Sequence, residues 1–483
     1  MNAVVIGGGP AGSSIGGLLA AWGHSVVILN REAPRSRGLA ESIPPSTRKL
    51  LAEVGVLDAV EQAHFYRTRG NTVWWASREE RIESFGTTAD ALGYQVFRPD
   101  FDRVLLERAA LSGAEVRANA RVQSVAFGGD GASVEYAEAG RRSTIACDVV
   151  IDCSGRAGVI GRRFRIPQPG HRMYALVGVW TRNEGWDLPD ETHTAVETYR
   201  DGWAWSVPVS AETRHVGTMA GTAMPGNGTA RALGDAYHAE MAKTTQLGPR
   251  LRRASLQHVW ACDASLYSAT AYAGPRFMLV GDAGSFIDPL SSFGVKKALA
   301  SAWLGAIVAH TRLVHPEREG LACDFFSDWE RRVYATHLRR SRDFARAASA
   351  EHPSAFWTIR ADTPIDAPDD PEQVDVSRDP DVQRAFEAFK AASRIDLALA
   401  DGIRFEPRAV IRGREIVIEE ALEGGLRFAG NVDLVTLARM ACEHQRVPDL
   451  FDAYCRRHAP VPLPSLVSGL SLLVARGILH ERR

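Results

Sequence analysis

The sequence predicts a mixed α/β (α+β) fold in three parts. These are a Rossmann-like domain, a mixed β-sheet inserted into it, and a small winged-helix-like domain at the C-terminus. Three observations carry this. An apolar strand, a glycine-rich turn and an apolar helix follow one another over residues 3–23. A second buried strand that ends in Gly-Asp, RFMLVGD, arrives near residue 280, as if the first domain resumes after an insertion. Beyond a stretch rich in Pro and Asp, one strand and three short amphipathic helices close the chain.

The totals set the outer limits. A chain of 483 residues suggests about three domains. Hydrophobic residues at 45% and charged residues at 24% are ordinary for a globular protein. The formal net charge of -1 supplies no global field for nucleic acid or an anionic membrane. Six cysteines lie far apart with no C-x-x-C pair, which argues against a zinc site and a disulfide framework, so no metal is expected. A strand pattern that begins almost at residue 1 leaves no room for a signal peptide, and no run of about 18 apolar residues offers a membrane span. A cytoplasmic location is expected.

Each element has its own reason. AVVI, residues 3–6, reads as a buried parallel strand, and Gly7-Gly8-Gly9-Pro10-Ala11-Gly12 turns it into a helix. Gly7 permits the tight turn, Gly9 lets the backbone approach a pyrophosphate, and Gly12 lets helix pack on strand. Pro10 and Ala11 open the helix, whose free amides and dipole favour an anion. The next strand, SVVILN (25–30), should end in an acid for ribose hydroxyls; Asn30 stands there, followed by Arg31 and Glu32. FRPDFDRVLLERA (97–109) places Arg98 just before a helix, and DVVIDCSGRAG (148–158) reads as a strand ending in a glycine turn. In residues 276–306, FMLV ends in Gly281-Asp282, and Asp282 can accept from a ribitol hydroxyl. After Asp288-Pro289, an SSFG turn opens a long helix at Gly294 and Val295, whose amides can face an anionic ring edge. The discontinuous domain is expected at 1–165 and 255–350, and the inserted substrate-domain sheet at 166–254 with part of 60–100. A linker and helix are expected at 351–400 and the small domain at 401–483.

Together GGGPAGSS, RPDFDRVLLERA, DCSGRAG and GDAGSFIDPLSSFGV, in this order over roughly residues 1–350, resemble flavoprotein monooxygenases of the para-hydroxybenzoate hydroxylase fold. Within these the chain is similar to the branch of flavin-dependent halogenases and their hydroxylase relatives. The resemblance implies FAD, touched by Gly7, Gly9, Pro10, Ala11, Gly12 and Asn30. Arg31, Arg98, Asp282, Pro289, Gly294 and Val295 would complete its site. Electrons would come from NAD(P)H directly or through a separate flavin reductase. The resemblance also implies a flavin C4a-hydroperoxide, which hydroxylates an aromatic ring beside it or oxidises a halide to hypohalous acid. In the halogenases a lysine in a K-x-G-E-S stretch then guides that acid to the substrate. GLAESIPPS (38–46) keeps Glu41 and Ser42 but has Gly38 at the lysine position, with Arg35 and Arg37 the nearest cations. Arginine stays protonated and cannot act as a neutral amine.

GWAWSVPVS (202–210) matches the family's tryptophan motif at Trp203, Trp205 and Pro208; it reads equally as a strand whose aromatics are core. The candidate catalytic residues are therefore Glu41, Lys296, Trp203 and Trp205. Glu41 also reads as a cap for the helix near Ser46, and Lys296 or Lys297 as a solvated helix face. His171 and His193 read as structural.

At the C-terminus, REIVIEEAL (414–422) is the strand; VDLVTLARMAC, VPDLFDAYCRR and PLPSLVSGLSLLVARGIL are the helices. The order resembles winged-helix-like modules that grip peptide substrates. Residues 412–483 hold ten arginines against nine acidic residues, without the basic stripe that DNA requires. A packing or dimerisation domain is the other reading. The expectation is an FAD-dependent monooxygenase that hydroxylates an aromatic ring, in particular a tryptophan of a peptide or protein. The tryptophan-hydroxylating flavoproteins of tryptophylquinone cofactor biogenesis are similar in plan. The alternatives are a halogenase, a flavin-dependent reductase and a non-catalytic FAD-fold binding protein.

Overall fold

In the computed structural model, five short strands stand parallel in the order Glu115–Arg117, Ser25–Leu29, Asn2–Ile6, Val149–Asp152, Phe277–Leu279, with Ala273–Gly274 antiparallel at the edge. VVIL and VVID are apolar on both faces because helices cover the sheet. The helices Pro10–Ala21, Arg98–Leu111 and Gly294–Val314 pack on one another beside it. The structure describes residues 2–31, 34–129, 131–221, 230–365, 379–392, 394–423 and 425–482. Glu32, and residues 366–378 of the expected linker, lie outside these. The chain divides into two units, Met1–Asp366 and Ala367–Arg483.

The inserted sheet has seven strands in the order Ser255–Asp263, Tyr174–Thr181, Thr213–Ala220, Gly202–Pro208, Thr194–Tyr199, Gly70–Trp74, Arg81–Ser84. It is mixed, since Thr194–Tyr199 runs parallel to Gly70–Trp74 while its other pairings are antiparallel. Ser255–Asp263 thus belongs to this sheet rather than to the domain expected to resume at 255. Its sequence, SLQHVWACD, lacks the apolar alternation that would have marked it. Side chains of Gly202–Pro208 alternate: Trp203, Trp205 and Val207 join one apolar cluster, Ala204 the opposite one. The second cluster packs Trp180 on Tyr237 of the helix Ala230–Met241, with the indole N–H donating to the Tyr237 hydroxyl at 2.7 Å. Gly217 pairs directly with Trp205, and a Cβ there would come within 2.3 Å of the indole.

His171 and His193 serve the framework. His171 Nε2 meets Thr363 Oγ1 at 2.8 Å and His193 Nδ1 meets Thr72 Oγ1 at 3.0 Å, all of them buried.

The second unit starts with the helix Pro380–Ala391, capped by the Asp379 carboxylate. The expected strand is Glu415–Leu422, and it forms a hairpin with Phe405–Arg412. The three expected helices are Leu434–Ala441, Val447–Arg457 and Leu463–Ala475. Leu479–Glu481 then returns to pair with Leu397–Leu399. Leu434, Leu437, Leu450, Leu466 and Leu470 fill its core. Asp433 caps the helix at Leu434 through the Thr436 N–H (3.0 Å) and holds Arg427 at 2.6 Å. No helix among the described residues is long and apolar enough to cross a membrane.

Burial depresses three histidines, His171, His215 and His337, each to about 4. The unfolded chain protonates them near 6.5, so it binds more protons than the native state below that pH. Stability from these residues is whole above pH 6.5 and falls as pH drops towards 4. His215→Gln is expected to lower the slope of stability against pH by roughly 1.4 kcal/mol per unit between pH 6.5 and 4.5. Urea melts at three pH values check this; an unchanged slope would contradict it.

Candidate active site

A cavity of about 810 Å³ opens at the carboxyl ends of the parallel strands and runs under the seven-stranded sheet. That is where ligands enter doubly wound sheets. The glycine turn forms one wall by tight backbone packing. Gly7 has φ 103°, and a Cβ there would lie 2.6 Å from the Cys153 carbonyl oxygen. A Cβ on Gly12 would lie 1.8 Å from the Gly7 carbonyl oxygen. Gly9 differs: a Cβ there would meet nothing nearer than 3.8 Å, so its backbone faces open cavity. The helix Pro10–Ala21 directs its free amides here, with Pro10 and Ala11 in the lining.

Asn30 does more than the sequence suggested. Its Oδ1 accepts from the Gly8 N–H at 3.0 Å, so the side chain braces the turn. Its amide N–H remains the group that can meet a hydroxyl. Arg31 lines the same end.

Arg98 opens the helix Arg98–Leu111 and holds two carboxylates. It donates to Glu41 at 2.7 Å and to both oxygens of Asp102 at 2.8 and 2.9 Å. Burial opposes its charge, but Asp102 and Glu41 outweigh this and raise its pKa. Glu41 therefore does not cap the helix near Ser46. It lines the cavity on strand Ala40–Ile43, with Oε2 about 4.0 Å from where a Gly294 Cβ would be.

The turn after Phe277–Leu279 brings Asp282 into the cavity; its Oδ1 accepts no hydrogen bond among the described residues and pairs with the Lys297 ammonium at 3.5 Å. Pro289, Gly294 and Val295 line the adjoining wall. The two lysines part company. Lys296 is not in the lining: its ammonium donates to Ser46 Oγ at 3.0 Å, and burial followed by Arg340 lowers its pKa. Lys297 points inward, is buried, and sits 3.5 Å from Asp282. Lys296, expected as a catalytic residue, therefore lies outside the lining of the cavity.

Under the sheet the lining turns apolar. Trp203 and Trp205 project into the cavity with ring centroids 5.4 Å apart, beside Ala175, Val196 and Met219. At 4% and 9% exposure they are core and cavity wall at once. Among the described residues the cations that line the cavity are arginines, and none is a lysine. At Gly38 a Cβ would fall 2.5 Å from the Phe97 ring and 2.6 Å from Pro99. Arg35 is engaged by both oxygens of Asp100. Arg156 was missed by sequence reasoning. It lines the cavity, lies 4.0 Å from the Phe286 ring centroid and pairs with Asp263 at 3.3 Å. DCSGRAG had displayed it, but only as part of a turn.

A family model described as FAD binding domain matches residues 1–304. A tryptophan 2-halogenase of Chondromyces crocatus is 27% identical over 370 residues, which covers 74% of this chain and 70% of that protein. The crystal structure of CmlS, a flavin-dependent halogenase, superposes with TM-score 0.79 at 22% identity, over 99% of this chain and 95% of that one. QhpG, a peptidyl tryptophan dihydroxylase essential for tryptophylquinone cofactor biogenesis, superposes with TM-score 0.71 at 22% identity, over 98% and 99%. The open backbone at Gly9, the helix amides and the Asp282 carboxylate in the lining fit FAD, which is the cofactor.

Gly12→Ala is expected to abolish FAD retention and to cost about 1–3 kcal/mol of stability, because its methyl must displace the Gly7 carbonyl. Arg98→Met, which leaves Glu41 and Asp102 facing each other without a cation, is expected to raise the Kd for FAD at least tenfold. Flavin fluorescence titration reads both; wild-type binding in either variant would overturn the assignment of that residue.

Proposed function

The chain belongs to the FAD binding domain family as an FAD-dependent oxidoreductase, and we propose that its substrate is an aromatic ring held against Trp203 and Trp205. The carrying observation is the continuity of the cavity: the dinucleotide cradle passes without a break into an apolar arm walled by the two indoles. Aromatic faces of this kind hold a planar ring by offset or edge-on contact and exclude water from it. Bound FAD, once reduced, supplies activated oxygen. The chain's own part is to hold the pyrophosphate on the amides of Pro10–Ala21, a ribitol hydroxyl on Asp282, and the ring on the tryptophans.

Halogenation of that ring is the reading the relatives support, since enzymes with such names recur among them. The Trp203/Trp205 pair in GWAWSVP agrees with it. Hydroxylation is the second reading, and one observation favours it: the lining cations are arginines rather than lysine. A guanidinium can hydrogen-bond an oxidised halide but not act as a neutral amine towards it. Transfer of oxygen straight to the ring makes no such demand. The tryptophan of a peptide is then a fitting substrate, as it is for QhpG, which shares the fold. NAD(P)H with a flavin reductase is the proposed electron source for either chemistry, and the cytoplasm the proposed location.

The deciding experiment supplies FAD, a flavin reductase and NADH, and offers indole, phenol and tryptophan-peptide substrates with and without bromide. Mass spectrometry reads the products. Bromide-dependent replacement of hydrogen supports halogenation, and a gain of oxygen independent of halide supports hydroxylation. Hydrogen peroxide with every ring unchanged would sink the aromatic reading, and anaerobic turnover would point to a reductase.

A further inference from the structure

Lys297 is a buried cation in a place that opposes it twice. Its side chain is 1% exposed, and burying an ammonium costs several kcal/mol unless it is well compensated. It also lies in the first turn of the helix Gly294–Val314, where the dipole disfavours positive charge. The first turn carries no acidic residue to offset it. A residue that breaks two local rules in a core position usually answers to function rather than to packing.

What surrounds it is specific. Its Nζ donates to the Gly281 carbonyl at 3.0 Å and to the Ser285 carbonyl. It therefore clamps the Gly281–Ser285 turn from behind at both ends. Asp282, which this turn presents to the cavity, has its Oδ1 3.5 Å from the same ammonium. The Gly281 N–H is held separately by Ser301 Oγ at 2.9 Å. Glu330, 1% exposed, is a further acidic neighbour, whose pKa burial raises although Lys297 and Ser301 work against this, and His337 also feels the Lys297 charge.

We propose that Lys297 is a positioning residue for FAD: from behind the Gly281–Ser285 turn it holds the turn by two carbonyls, aims the Asp282 carboxylate that lines the cavity, and adds a positive charge behind that wall. Such a charge favours the reduced, anionic flavin over the oxidised one. The proposal concerns the cofactor alone and holds for halogenation and hydroxylation equally.

Two variants test it. Lys297→Met keeps the length of the side chain without polar atoms, and Lys297→Gln can still donate to the turn without charge. Both are made in the full chain, and FAD affinity and the reduction potential at saturating FAD are measured. A folded Lys297→Met is expected to bind FAD at least tenfold more weakly and to hold it at a more negative potential. Lys297→Gln is expected to recover part of the affinity but not the potential. In an Asp282→Asn background the affinity effect of Lys297→Met should largely vanish, because it acts through that carboxylate. Wild-type affinity and potential in either folded lysine variant would overturn the proposal, as would strict additivity with Asp282→Asn. If Lys297→Met does not fold, the potential of Lys297→Gln alone decides.

Discussion

Three backbones meet at one point, and the cofactor site depends on how closely they do. The carbonyl of Gly7 lies where a side chain on residue 12 would begin, and the carbonyl of Cys153 lies where one on residue 7 would begin. No larger residue lets the first helix start so near the end of the first strand. The Cys153 side of the contact is itself held by Asp152, wholly buried and ringed by donors. Ser154 N–H and Oγ reach one oxygen at 3.0 and 2.5 Å; Ile160 and Gly161 N–H reach the other at 2.6 and 2.9 Å. A carboxylate with so many donors is satisfied where it stands and resists movement. From this fixed point the helix amides, Asn30 and Arg98 take their places.

Much of this was legible because it is local. Glycines that permit close approach and strands apolar on both faces can be read from a few neighbouring residues. What escaped depends on direction or on distant partners. Lys296 and Lys297 differ only in helix phase: adjacent residues point about 100° apart, and nothing in KKALASAW says which one faces inward. Asn30 was singled out at the end of its strand, but its bond to Gly8 joins residues 22 apart. Arg156 was hidden in a motif noticed for its glycines. The strand Phe405–Arg412 contains Pro407 and three charged residues, so it lacks an apolar period, and only its pairing with Glu415–Leu422 reveals it.

Several of the arginines that line the cavity are committed to carboxylates. Arg98 serves Glu41 and Asp102, Arg35 serves Asp100, and Arg156 serves Asp263. Paired guanidiniums fix geometry and stay charged; they do not exchange protons with a reacting species. The chain thus builds a rigid, permanently ionised rim around an apolar interior. These paired arginines contribute by placement rather than by proton transfer.

Gly217 adds a last point about how such an interior can change shape. The indole of Trp205 occupies volume that any other residue on the neighbouring strand would claim. The width of the aromatic arm is consequently governed by a position that is not itself part of the lining. A methyl group added there would act like a wedge behind a hinged panel, swinging the indole into the open space before it. The shape of this arm can therefore change without any change in the residues that line it.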